Sequence, residues 1–168
     1  MTGAGRIEVI ETARLTLCRQ RPEDARALAR LMADWDLVRM TATWPHPVTE
    51  DFARHRIEER MGAPGFYALA WHSAELIGMA HVAERAIGYL IAKPHWGRGY
   101  ATELATALVE HGFQSRNEPF LEAKVWEDNP ASSRVLLKLG FTEVGRHTAM
   151  NRARGQELSG IDYRLERP

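Results

Sequence analysis

The sequence predicts an α+β domain whose mixed, mostly antiparallel sheet has about seven strands flanked by about four helices, and three observations carry that expectation. FYALAWH, LIGMAHV and AIGYLIA alternate or run apolar like strands and are joined by turns too short for a helix, so they form an antiparallel meander. Two strand-like stretches run directly into helix-start residues, at KPHWGRGYATE and at WEDNPASS. No repeat, linker or low-complexity run divides the 168 residues, so a single domain over 1–168 is expected. A chain of this length buries roughly 70% of its unfolded surface in one core.

Taken in order, residues 13–20 alternate as a strand. Pro22 then opens a helix through EDARALARLMADW, with Ala25, Leu28, Leu31, Met32 and Trp35 spaced to share one face. In TATWPHPVTEDF two prolines flank His46, and Thr49 is the N-cap of a second helix that runs to Met61, where Gly62, Pro64 and Gly65 stop it. The meander follows, turning at HSAE and at AER. Ala101, Leu104, Ala105 and Leu108 recur at helical spacing, which predicts an amphipathic helix from 101 to about 114. FLEAKVW is the next strand, and Asn129 before Pro130 opens a helix that ends at Gly140. FTEVGRH and GIDYRLE close the chain as two strands.

Composition narrows the function. The 22 Lys and Arg residues balance 22 Asp and Glu residues, so no basic excess points to nucleic acid as the main partner. The single cysteine, Cys18, excludes an internal disulfide framework and a four-cysteine zinc site and fits a reducing compartment. The seven histidines show no metal-binding spacing, so no metal is expected. MTGAGRIEV has no apolar targeting core, and no apolar run approaches the ~20 residues of a membrane span. A soluble, cytoplasmic protein without a membrane partner is the expectation, and a homodimer is compatible with it.

Gly97 and Gly99 sit where a helix is about to begin, and a helix start offers unpaired N–H groups and the positive end of the dipole to an anion. A tight turn with glycines for steric reasons explains the same residues. A dinucleotide fingerprint would need a third glycine where Thr102 stands, and a P-loop would need Gly-Lys-Ser/Thr. About thirty residues on, WEDNPASSRVLLKLGF places Asn129, Ser132 and Ser133 at a second strand-to-helix junction.

Together, WGRGYATE and DNPASSRVLLKLGF resemble the two signature motifs of the GNAT superfamily of acyl-CoA N-acyltransferases, in its RimJ/RimL-like branch. The likeness extends to ARLTLCRQRPEDA and to Trp44-Pro45, and so covers nearly the whole chain. It implies the GNAT fold and acetyl-CoA as cosubstrate, with the pyrophosphate on the backbone of Gly97, Arg98, Gly99, Tyr100, Ala101 and Thr102. Gly99 and Ala101 match the last two positions of the family's Gln/Arg-x-x-Gly-x-Gly/Ala loop, and Trp96 departs from the opening one. Because such a loop binds through backbone, the departure is not expected to abolish cofactor binding.

The resemblance also implies that the strand before the loop, Gly88 to Ala92, splays from its neighbour. Backbone at Leu90 and Ile91 is then free for the pantetheine arm and the thioester oxygen, where an aimed N–H stabilises a developing oxyanion by several kcal/mol. The tyrosine that protonates the leaving thiolate in many relatives is Leu136 here. RimL-like members imply Ser132 instead, with Asn129 on the pantetheine chain; helix capping is the alternative explanation of both residues, and the whole motif favours the functional one. Glu84, or His81 just before it, is a candidate general base, although a turn glutamate is more often a solvated surface group. Glu103 is explained by the helix dipole. Trp44, Pro45 and His46 border the acceptor site in relatives, so Trp44 and His46 are acceptor-contact candidates; a hydrophobic plug is the alternative. The expected function is direct acetyl transfer from acetyl-CoA to a primary amine, of a protein N-terminus or a small molecule. A catalytically silent acyl-CoA-binding module is the competing reading.

Overall fold

A computed structural model describes residues 9–168; residues 1–8, where the targeting reading begins, lie outside the described residues. Among the described residues, eight strands form one sheet: β1 (Val9–Glu11), β2 (Thr16–Arg19), β3 (Phe66–His72), β4 (Glu75–Ala83), β5 (Ala86–Ile91), β6 (Phe120–Trp126), β7 (Thr142–Asn151) and β8 (Gln156–Glu166). The spatial order is β1-β2-β3-β4-β5-β6-β8-β7. Every neighbouring pair is antiparallel except β5 with β6. Five α-helices of the described residues surround it: α1 (Ala25–Leu31), α2 (Trp35–Val38), α3 (Glu50–Gly62), α4 (Tyr100–Ser115) and α5 (Pro130–Lys138).

The sheet is a mixed, mostly antiparallel one, as expected, with one more strand than the sequence suggests. The extra strand is β1, three residues held by pairing Val9 with Cys18 and Glu11 with Thr16, too short to show alternation of its own. The first helix is also shorter than its periodicity implies. It ends at Leu31, and Asp34 caps a separate short helix by accepting from the Asp36 N–H at 2.9 Å. An aspartate that bonds its own backbone two residues on competes with helix continuation. Trp35 is thereby turned outward and is 43% exposed, not on the buried face.

Two apolar clusters lie on the two faces of the sheet. One joins Ile87, Ile91, Leu121, Val125 and Tyr163 to Tyr100, Leu104 and Leu108 of α4 and Leu136 of α5. The other joins Leu69 and Met79 to Leu28 of α1, Ala53 and Ile57 of α3, and Trp44. Thr49 caps α3 by accepting from the Phe52 N–H, as its sequence position predicts. β7 and β8 run further than the apolar pattern shows, reaching a hairpin at Asn151 and Gln156. Fully buried Asn151 ties that hairpin down, its amide donating to the carbonyls of Arg39 (2.8 Å) and Thr41 (2.9 Å). A buried amide with its bonds made is fixed in place.

Candidate functional site

The central feature is a failed pairing. β5 and β6 are parallel neighbours, yet their register contains a single pair, Ala86 with Glu122, supported by the Glu122 N–H on the Arg85 carbonyl at 2.8 Å. Beyond it the strands diverge, and the backbone groups of β5 on that side are left for another partner. The opposite edge of β5 is paired with β4 throughout. Ala92 N–H donates to the Ile77 carbonyl at 2.7 Å, so by the alternation of an antiparallel ladder Leu90 also faces β4, and Tyr89 and Ile91 face the gap. Of the two residues expected to offer free backbone, Ile91 is turned to the open edge and Leu90 is not. The Ile91 carbonyl accepts the Trp96 indole N–H at 2.6 Å, which ties the end of the strand to the loop that follows.

That loop is the glycine segment. After a 3₁₀ turn at Lys93–His95, Gly97 and Gly99 take φ of +73° and +79°, left-handed values that L side chains adopt only with strain. Gly99 is the N-cap of α4. The N–H groups of Tyr100, Ala101 and Thr102 therefore have no carbonyl one turn back, and Trp96, Gly97, Arg98 and Gly99 are exposed beside them. One element of this region escaped the sequence reading. Arg14 reaches across from the β1–β2 turn, its Nη1 donating to the Arg98 carbonyl at 2.9 Å and its Nε to Glu103 at 2.7 Å, while its guanidinium lies 4.1 Å from the centre of the Tyr100 ring. Glu103 also accepts from the Thr12 hydroxyl and the Arg14 N–H. Burial alone would raise the Glu103 carboxyl; the hydrogen bonds from Thr12 and Arg14 reverse that and hold it below its ordinary value. The dipole therefore explains only part of Glu103.

At the second junction Asn129 caps α5, its side-chain oxygen accepting the Ser132 N–H at 3.3 Å. Ser132's own hydroxyl is not used in capping. It lies 3.2 Å from the Tyr89 hydroxyl, which is also 3.4 Å from the Ser132 carbonyl, so strand β5 and helix α5 meet through two hydroxyls. Burial pushes the Tyr89 phenol up to about 12, against the smaller opposing effect of its bond to Ser132. Leu136 is fully buried in the core, so this helix position serves packing.

The remaining candidates are set apart from this junction. Glu84 is exposed in the turn between β4 and β5, with φ of +52°. It precedes Tyr89 by five residues along the strand, or roughly 16 Å at the rise of a β-strand. His81 lies on the α1/α3 face, stacked on Tyr67 with ring centres 5.8 Å apart, and its ring fills the space where a Cβ on Gly88 would stand. Burial, helped by the nearby Arg60 cation, pushes it down to about 4. Trp44 is 2% exposed and packs on Phe52, which is the plug arrangement. His46 is exposed, with its ring 5.0 Å from that of Trp35. His95 is turned inward against Glu75 at 3.1 Å, away from the exposed loop face.

A family model described as the acetyltransferase (GNAT) domain matches residues 14–142. A relative named as an uncharacterized N-acetyltransferase, p20, from Bacillus licheniformis is 28% identical over 95% of this chain and 96% of its own length. Among solved structures, a RimL ribosomal L7/L12 α-N-protein acetyltransferase in complex with coenzyme A superimposes with a TM-score of 0.81 at 21% identity, covering 95% of this chain and 98% of that one. A ribosomal-protein-S5-alanine acetyltransferase from Vibrio fischeri does so with a TM-score of 0.82 at 16% identity, covering 95% and 97%.

Proposed function

The chain belongs to the GNAT acetyltransferase family, and from that premise we propose that it is an acetyl-CoA-dependent N-acetyltransferase of RimJ/RimL-like type, organised as one domain on the one sheet. The observation that carries the proposal is the glycine loop on the start of α4, set directly beside the unpaired edge of β5. The N–H groups from Gly97 to Thr102 receive the pyrophosphate, which a helix start favours by both hydrogen bonds and dipole. The pantetheine arm runs along the open edge at Tyr89 and Ile91 as a substitute strand, with Asn129 at its other side and the thioester near Ser132. The Ile91 and Tyr89 backbone takes the part first expected of Leu90 and Ile91.

The reaction is direct attack of a neutral primary amine on the thioester carbon. Ser132 donates to the departing sulfur. Glu84 lies too far from that point to take the amine's proton, and half-buried His81 is packed on Tyr67 and against Gly88, so the proton leaves to water. The acceptor approaches from the α1/α3 side past His46 and Trp35, with Trp44 holding that wall from within. An N-terminal α-amine of a protein is the favoured acceptor class, supported by the ribosomal-protein acetyltransferases among the structural neighbours; a small amine is the alternative. A reducing, cytoplasmic setting suits this chemistry.

The test is release of CoA thiol from acetyl-CoA with a panel of peptides bearing free N-termini alongside small amines, paired with a direct measurement of CoA binding. Turnover with an amine supports the proposal. Tight CoA binding with no turnover across the panel would instead identify a silent binding module.

A further inference from the structure

The thiolate that leaves acetyl-CoA needs a proton, and Leu136, one turn further along α5 than Ser132, is an apolar side chain buried in the core that has none to give. A phenol nevertheless reaches the junction from a different element. Tyr89 stands on β5, 43 residues before Ser132, and its hydroxyl lies 3.2 Å from the Ser132 hydroxyl at the point where β5 and β6 have separated. We propose that Tyr89 is a positioning residue for acetyl transfer, holding the Ser132 hydroxyl with its hydrogen directed into the gap and replacing the proton that Ser132 gives to the leaving sulfur. This inference rests on the N-acetyltransferase reading above.

Hydrogen-bond bookkeeping supports the arrangement. Each hydroxyl has one hydrogen and two lone pairs. Capping at α5 is done by Asn129, so the Ser132 hydroxyl has no obligation to the helix backbone. When Tyr89 donates to Ser132 Oγ, the Ser132 hydrogen is left to point away from Tyr89. A tyrosine whose only task was to satisfy its own buried hydroxyl could donate to the Ser132 carbonyl at 3.4 Å, but the shorter contact is to the hydroxyl. Burial keeps Tyr89 protonated across the neutral range, so the pair always holds a proton to give.

The step balances without a further reagent. As the C–S bond breaks, sulfur takes the Ser132 proton, Ser132 Oγ takes the Tyr89 proton in the same concerted shift, and Tyr89 recovers one from water. The attacking nitrogen returns one proton to water, so none is gained or lost overall.

The experiment compares Tyr89→Phe, Ser132→Ala and the double variant. Phe keeps the ring and its packing against the core and removes only the hydroxyl. Tyr89→Phe is expected to lower kcat about tenfold with the acetyl-CoA KM unchanged, less than the roughly 10²- to 10⁴-fold of a direct general acid because Tyr89 acts through Ser132. The double variant should be no slower than Ser132→Ala alone, because two groups acting as one unit are not additive. A second readout needs no turnover: the thiol of bound CoA, titrated by thiolate absorbance, should have a higher pKa in both single variants than in the wild type, since a hydrogen bond to the sulfur favours the thiolate. Wild-type kcat and an unchanged thiol pKa in Tyr89→Phe would overturn the proposal, as would effects that multiply in the double variant. A wild-type protein that fails to bind CoA would instead sink the acetyltransferase reading itself.

Discussion

Ser132 is where two explanations of one residue diverge measurably. A serine in the first turn of a helix is ordinarily a cap, yet here the cap is Asn129 and the serine hydroxyl turns to Tyr89. Ser132→Ala should therefore lower kcat roughly ten- to a hundredfold with little change in acetyl-CoA affinity and little loss of melting temperature. Asn129→Ala, by contrast, should cost about 1 kcal/mol of stability as a lost cap. A Ser132→Ala protein that loses only stability would return the serine to a structural role. His81 gives a second residue-scale expectation. Folded, it stays neutral down to about pH 4, whereas in the unfolded chain it is protonated below about 6.5. Between these values the unfolded state binds more protons, so stability falls as pH drops through that window, by on the order of 3 kcal/mol in full. His111, also lowered chiefly by burial, acts in the same direction. Thermal melts from pH 7 to 4 should show the loss, and His81→Gln should show a smaller one; identical acid slopes in the two proteins would refute the assignment.

The glycine loop works as an element because three separate devices hold it. Its backbone conformation needs φ near +79° at Gly99, its strand end is fixed by the Trp96 indole on Ile91, and its far side is fastened by Arg14. Gly99→Val puts a β-branched side chain where left-handed backbone costs about 1–2 kcal/mol, and the added Cβ would stand 3.5 Å from Arg14 Nη2. The variant should fold and should bind CoA much more weakly, in equilibrium dialysis or as a raised KM; unchanged affinity would remove the pyrophosphate from this loop. Arg14→Ala leaves the glycines alone, frees the Arg98 carbonyl and removes the guanidinium from Glu103, which keeps its bonds from the Thr12 hydroxyl and the backbone N–H of residue 14. Its expected signature is an acetyl-CoA KM several-fold higher with kcat close to wild type, measured in initial-rate assays. A fall in kcat alone would argue against a loop-holding role.

At the scale of the whole molecule, the proposed chemistry takes place between two diverging strands and needs no acyl-enzyme. Cys18 lies on β2, paired with Val9 of β1 and Leu69 of β3, and its thiol is held above its ordinary pKa by burial first and by Glu11 second. A thiol kept protonated is a poor nucleophile. Cys18→Ala should keep its activity, and initial-rate plots varying both substrates should intersect, as for a ternary complex; parallel lines with a trapped acetyl-cysteine would reverse this view. The sequence by itself determined the antiparallel meander, the Thr49 and Asn129 caps, the helix that starts after Gly99, and the family, because alternation, capping and glycine conformation act within a few residues. It could not show that Trp35 would be exposed and Trp44 enclosed, since helical spacing runs through the break that Asp34 makes. Nor could it reveal the single β5–β6 pair, the Tyr89–Ser132 contact or the Arg14–Glu103 bond, whose partners stand 43 and 89 residues apart. Contacts of that separation leave no local pattern in the chain; they exist only once the sheet has brought its strands and loops together, and the tertiary structure alone decides them.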